Sequence, residues 1–228
     1  MYLLLASCLF FIAIHVGISG TDVRGQMIER LGKTRYLVLF SLLSAVGLFW
    51  LVTSYISAPV FQIWPKWQIL GIIAKLLMLP AVIFFVLAFA SPNPTAVGGA
   101  KILAAKPAAM GIFKITRHPF LWSLVIWAIA HIIANGDLAG IIFFGGLAGL
   151  ALFGSRLIDR RRAAADPEAW AVFAAQSAWL PFQAMRDGRV RFSDVVGEIG
   201  FVRITFAVAV YSLIYFLLHQ WIAGVALF

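Results

Sequence analysis

The chain has 228 residues, 63% of them hydrophobic and only 12% charged, where soluble domains run near half apolar and a quarter charged. That excludes an ordinary soluble domain and points to a protein that buries its surface in lipid. The net charge of +9 would suggest nucleic acid as partner in a soluble protein. In a chain this apolar it points instead to a bilayer with anionic headgroups, and no nucleic-acid partner is expected.

Apolar runs of about 20 residues read as transmembrane helices, because the hydrocarbon core is ~30 Å thick and a helix rises ~1.5 Å per residue. Six such runs occur, at 2–19, 36–57, 68–91, 118–134, 138–158 and 201–228. The predicted fold is therefore all-α, a polytopic transmembrane helix bundle of about six spans. The first run lacks a basic n-region and a small-x-small cleavage site, so it is read as a span of the mature protein. Residues 1–158 form a five-span membrane domain, and 159–228 add an amphipathic segment and the sixth span.

Loop charge gives the orientation. All Lys and Arg except Lys66 and Lys75 fall in segments 20–35, 92–117 and 156–203, which places those segments in the cytoplasm and both termini on the opposite side. Segment 92–117 opens on Ser91-Pro92-Asn93-Pro94, a helix stop, and then alternates apolar residues with lysines, which reads as an interfacial or partly re-entrant helix. Asp159-Arg160-Arg161-Arg162 reads as a stop-transfer and lipid-anchoring cluster. In Asp166-Pro167-Glu168 an N-cap, an N1 proline and a first-turn acid start a helix. Trp170, Phe173 and Trp179 follow, which predicts a helix lying on the inner leaflet. Trp64-Pro65-Lys66-Trp67 reads as an interfacial aromatic belt, and the glycines of the fifth run as close-packing positions.

Ionisable residues within spans are costly and mark function. His15 lies thirteen residues after Tyr2, ~20 Å along the first span and near its cytoplasmic end. His118 opens the fourth span in the same leaflet. His131 is ~20 Å further along that helix, level with His219 near the outer end of the sixth span. The topology thus sorts four histidines into an inner and an outer pair, and two imidazoles from different helices at one depth are what a bis-histidine b-type haem requires. The single cysteine, Cys8, excludes a C-x-x-C-H attachment, so such a haem is held non-covalently. In Lys114-Ile115-Thr116-Arg117-His118-Pro119, the proline suits the first turn of a helix, and Arg117 is placed to hold a haem propionate or a lipid phosphate. Lys75, five residues before Pro80, either snorkels or joins His131, Asn135, Asp137 and His219 in a second site in the outer leaflet.

These strings, namely His15-Val16-Gly17, Glu29-Arg30-Leu31-Gly32, Arg35-Tyr36, Ile115-Thr116-Arg117-His118-Pro119, Trp127-Ala128-Ile129-Ala130-His131 and Asn135-Gly136, in their order and spacing resemble the NnrU family, a relative of the plastid 15-cis-zeta-carotene isomerases. The resemblance implies two kinds of role. The bacterial members are tied to expression or activity of nitrite and nitric oxide reductases in denitrification. The plant relatives are haem b enzymes that isomerise a cis double bond of a linear carotene, with ligand histidines at the positions of His15 and His118. A carotenoid or similar apolar molecule is the substrate so implied. The cysteine that can exchange as a ligand just before the Arg-His-Pro string of the plant enzymes has no counterpart in this chain, where Ile115 and Thr116 stand.

Two other classes compete with a haem isomerase. One is a non-catalytic accessory, assembly or sensor protein for denitrification, acting through segment 159–196. The other is a membrane methyltransferase, since an Arg-His-Pro string also opens a late span in isoprenylcysteine-type enzymes. Against the latter, Phe120-Leu121-Trp122-Ser123 follows with no tyrosine, and no paired glutamates appear downstream.

Overall fold

A computed structural model describes residues 1–224 apart from 97, 106 and 107. Lys106 of the basic segment 92–117 and positions 225–228 of the sixth run thus lie outside the described residues. In chain order the helices are α1 (Tyr2–Ala13), continued by a π-helical turn (Ile14–Ile18), α2 (Val23–Leu31), α3 (Lys33–Ile56), α4 (Gln68–Phe89), α5 (Ala100–Ala105), α6 (Ile112–Ile115), α7 (Pro119–Asn135), α8 (Leu138–Ala165), α9 (Pro167–Ala175), α10 (Gln183–Arg186), α11 (Phe192–Ile199), α12 (Phe201–Leu213), a second π-helical turn (Ile214–Leu218) and α13 (His219–Ala223). The fold is all-α; among the described residues, extended pairing is confined to one isolated bridge between Gln62 and Asp137.

Among the described residues four helices are long and apolar enough to cross a membrane: Lys33–Ile56, Gln68–Phe89, Leu138–Ala165 and Phe201–Ile222. Tyr2–Ile18 together with Val23–Leu31 forms a fifth candidate bent by 73°. The fourth predicted run is the short one: α7 has 17 residues, about 26 Å of helix against a core of ~30 Å. Only 6% of the best window in Phe201–Ile222 is buried, so its apolar side chains face outward, as they do towards lipid. These features make the chain an integral membrane protein.

Local sequence explains the breaks. Gly32 (φ 78°, ψ 152°) separates α2 from α3, and Gly200 (φ 79°, ψ 148°) separates α11 from α12. Both lie in a backbone region open essentially to glycine alone, and each joins a short helix to a long apolar one. Asp166 accepts from the Ala169 amide at 3.1 Å with Pro167 at the first helical position, the start that the sequence predicts.

The chain divides into two compact units, Met1–Ala74 with Ala128–Gly154, and Lys75–Trp127 with Ser155–Phe228. In the first, α1 packs on α3 where a Cβ at Gly47 would lie 3.2 Å from the Phe10 ring. Cys8 faces α8, its Sγ 3.5 Å from the Ile142 carbonyl, and a Cβ at Gly146 would overlap that sulfur. Of the fifth-run glycines, Gly145, Gly149 and Gly154 have open space there, so close packing resides at Gly146. The Trp64 cluster, expected as an interfacial belt, is bonded to the end of α7. Its indole N–H donates to Ile133 O at 3.2 Å, and the Gly136 carbonyl accepts from the Ile63 and Trp64 amides at 2.7 and 3.1 Å.

The second unit has a core of Phe84, Leu87, Leu103, Ile112, Phe113, Phe173, Val195 and Ile199. Phe173 is fully buried, so the apolar face of α9 packs on protein.

Candidate functional site around Arg117, His118 and Asp159

The site lies in the second unit, where the chain passes from α6 into α7. Thr116 is extended (φ −153°, ψ 147°), which suits the residues ahead of a proline and lets the strand-like stretch pair with the segment after α9. Arg117 N donates to Ala178 O at 2.8 Å and Phe182 N to Ile115 O at 2.9 Å. Thr116 Oγ1 and Trp122 Nε1 both donate to Trp179 O, at 2.9 and 2.8 Å. Thr95 Oγ1 donates to Arg117 O at 3.0 Å. These bonds fix the backbone of residues 115–118 from three sides, and Pro119 then starts α7 without needing its missing N–H.

Asp159, near the end of α8, joins the two functional side chains. Its Oδ2 accepts from Arg117 Nε at 3.1 Å and Nη2 at 2.9 Å, while Oδ1 lies 2.6 Å from His118 Nε2. The two oxygens are thus divided between a guanidinium fork, which matches carboxylate geometry, and an imidazole. His118 is 2% exposed and its Nδ1 is buried with no hydrogen-bond partner. A neutral imidazole that donates from Nε2 to a carboxylate carries its lone pair on Nδ1. In that form the arrangement presents a buried nitrogen base at Nδ1. Arg117 also lies 5.4 Å from the centroid of the Trp170 ring.

Sequence reasoning misses Asp159, which its pattern places in a stop-transfer string. The available signal is an acid at the head of Arg160-Arg161-Arg162, one of only nine acids in the chain. Trp179, expected on a helix along the inner leaflet, lies beyond the end of α9 and braces the site. Its carbonyl holds Thr116 and Trp122, and its indole donates to Ser155 Oγ at 2.7 Å.

The other predicted residues take the following places. In the first unit His15 sits in the π-helical turn, its Nδ1 2.8 Å from Phe11 O and its ring against Phe11 and Phe40. Such turns recur at functional sites, and a backbone carbonyl on Nδ1 is the usual orientation of a ligand histidine that binds through Nε2. His131, also in the first unit, stacks on Phe144 at 4.8 Å. Asn135 donates to Tyr55 OH at 3.1 Å, and the Asp137 carboxylate accepts from Gly140 N at 2.6 Å, a helix cap for α8. In the second unit the Lys75 ammonium lies 5.7 Å from the Tyr215 ring centroid, and His219 begins α13. Among the described residues no group of three or more His, Cys, Asp or Glu is placed to hold a bare metal ion.

Comparison with known proteins agrees with the motif reading. The chain is 29% identical over 183 residues to the chloroplastic 15-cis-zeta-carotene isomerase of Zea mays, an alignment covering 79% of this chain and 50% of the maize protein. It thus spans about half the length of that relative. No solved structure matches. The family model described as NnrU protein matches residues 3–227, a span that includes both histidine strings and Asp159, and the chain belongs to the NnrU family.

Proposed function

We propose that this protein is a membrane-embedded cis–trans isomerase of a carotenoid-like polyene that would work with b-type haem, and that His118 would be one of the residues holding it. The observation that carries the reading is the buried Nδ1 of His118, left without a partner while Asp159 occupies Nε2. Ligand histidines almost always give their other N–H to a carboxylate or carbonyl, which sets the tautomer and raises the basicity of the ligating nitrogen. Asp159 fits that part, and Arg117 in turn fixes the carboxylate by two bonds. Because Nε and Nη2 of Arg117 are spent on Asp159, its Nη1, in a long 3.4 Å contact with Ser177 O, is the group left for a propionate. His15 enters this reading only through the resemblance to the plant isomerases, whose ligand histidines stand at the positions of His15 and His118. His131, His219 and Lys75 have no part in it.

When bound, the haem supplies a redox-active iron beside which a conjugated double bond can rotate. The protein's own contribution is to hold the imidazole lone pair, exclude water from it, and keep the proton on Nε2. The resemblance to the maize isomerase supports a linear carotene as the substrate class. The resemblance to the bacterial members supports a bacterial inner membrane, and loop charge supports segments 20–35, 92–117 and 156–203 on its cytoplasmic side.

The test is the absorbance spectrum of detergent-purified protein made with ample haem supply, followed by incubation with cis-carotenes. A Soret band that His118→Ala removes or displaces, with isomer conversion lost in the same variant, is the expected result. A protein without a Soret band, or a variant with an unchanged spectrum, overturns the haem assignment. A His118-dependent band without isomer conversion overturns the isomerase and favours a haem-based accessory or sensor role in denitrification.

A further inference from the structure

A cleft of about 390 Å³ in the second unit is lined by Arg117, Arg156, Trp179, Leu180, Gln183 and Arg189 together with Ser177 and Ala178. Three guanidinium groups and no carboxylate line it, and they differ in how far they are already committed. Arg117 is paired with Asp159. Arg189 closes the end of α9, its Nη1 donating to the carbonyls of Ala174, Ala175 and Ser177 at 2.9, 3.1 and 2.7 Å, with Nη2 3.3 Å from Asp187. Arg156 is the exception. Its guanidinium lies 3.7 Å from the centroid of the Trp179 ring, and that ring is itself fixed by the bond to Ser155. Among the described residues the Arg156 guanidinium has neither a carboxylate nor a hydrogen-bond acceptor, and the Gln183 side-chain amide is likewise unbonded.

A guanidinium held over an indole keeps its N–H edge pointing away from the ring, ready for a planar fork contact with an oxyanion. A positive charge placed in a cleft with no acid on its walls attracts an anion. The cleft is far larger than a bare tetrahedral anion needs, and the loop that walls it carries Leu180 and Phe182, 42% and 48% exposed. Phe182 is held at φ 64°, a conformation that costs a non-glycine residue of order 1–3 kcal/mol. The cation thus shares the cleft with the exposed Leu180, and Phe182 follows two residues later on the same loop.

We propose that this cleft binds a phosphate oxyanion, with Arg156 as the anchoring charge and Gln183 and Arg189 beside it. The exposed Leu180 and Phe182 fit the headgroup phosphate of an anionic phospholipid whose chain lies along them. Free phosphate shares the same chemistry at the cation.

The experiment compares the unfolding temperature of the full chain in phosphatidylcholine nanodiscs, in discs containing phosphatidylglycerol, and in phosphatidylcholine discs with added inorganic phosphate. Titrating each additive gives an apparent affinity. Stabilisation by phosphatidylglycerol alone identifies the headgroup, and an equal effect of inorganic phosphate identifies the free anion. In either case Arg156→Gln weakens the response about tenfold, the scale of one charge-assisted fork. Gln183→Ala, which leaves the stacked pair intact, weakens it a few-fold and serves if the first variant does not fold. Arg191→Gln removes an equal charge from an exposed position of the same unit outside the cleft and leaves the response unchanged. No response of the unaltered protein to either additive, or equal losses in the Arg156 and Arg191 variants, overturns the site.

Discussion

Asp159→Asn isolates the carboxylate charge at nearly constant shape. Asp159 makes three contacts, two from Arg117 at 3.1 and 2.9 Å and one with His118 Nε2 at 2.6 Å. The side chains involved are 15%, 1% and 14% exposed for Arg117, His118 and Asp159, so water recovers little of what is lost. An asparagine has one acceptor oxygen and one NH₂ group. If the oxygen faces Arg117, the NH₂ faces His118 and can bond only an unprotonated Nε2, which forces the imidazole proton onto Nδ1. The substitution thus removes the charge assistance of about three bonds, each weakened by about 1 kcal/mol, for a loss of about 3 kcal/mol. At 2–4 °C per kcal/mol for a chain of this size, the unfolding temperature falls by about 6–12 °C. Thermal unfolding of the detergent-purified variant measures this. A double-mutant cycle with Arg117→Gln should return a coupling of at least ~1 kcal/mol. A drop under ~2 °C, or additivity within ~0.5 kcal/mol, would refute the idea that one carboxylate ties the guanidinium to the imidazole.

Two further substitutions probe the packing and the acid response. Gly146→Ala drives a methyl into Cys8 Sγ and should cost about 1–3 kcal/mol by overpacking; Cys8→Ala in the same chain should recover part of that loss in thermal unfolding, and an uncompensated variant as stable as the parent would remove the close approach. At Glu198, burial raises the carboxyl pKa, but the Gly111 amide at 2.7 Å and the Lys114 ammonium outweigh it and hold it below the usual 4.5. A carboxyl depressed in the folded state adds stability above its unfolded value and loses it as pH falls through its folded value. Stability of the unaltered protein should therefore decline in acid from about pH 4.5, while Glu198→Gln is less stable at neutral pH and flatter below it. Parallel stability–pH curves for the two proteins would contradict this linkage.

The long apolar helices are legible in the sequence because lipid imposes a length and an apolarity on each span that no tertiary context alters. The same holds for the helix starts at Asp166 and Pro119, which depend on neighbouring residues only. The Arg117-His118 pair is legible as a motif, but its partner is not. Asp159 stands 41 residues away in a string whose local pattern is that of a lipid anchor, and only packing distinguishes an acid that neutralises its own arginines from one that reaches across to another helix. Trp170, Phe173 and Trp179 illustrate a related limit. An apolar face on a short helix asks for an apolar partner, and the sequence does not say whether that partner is acyl chain or protein. Phe173 has found protein, and is fully buried.

The shared carboxylate also sets an order of events during synthesis. Arg117 and His118 leave the ribosome 41 residues before the group that neutralises the one and orients the other, and about 60 before the Trp179 carbonyl that pins Thr116. At ~5–20 residues per second that is a wait of about 2–8 s for Asp159. Throughout it the Arg117 guanidinium must keep water or another partner, because an unpaired guanidinium is costly to bury. The buried imidazole is therefore oriented only after α8 has been made as far as Asp159.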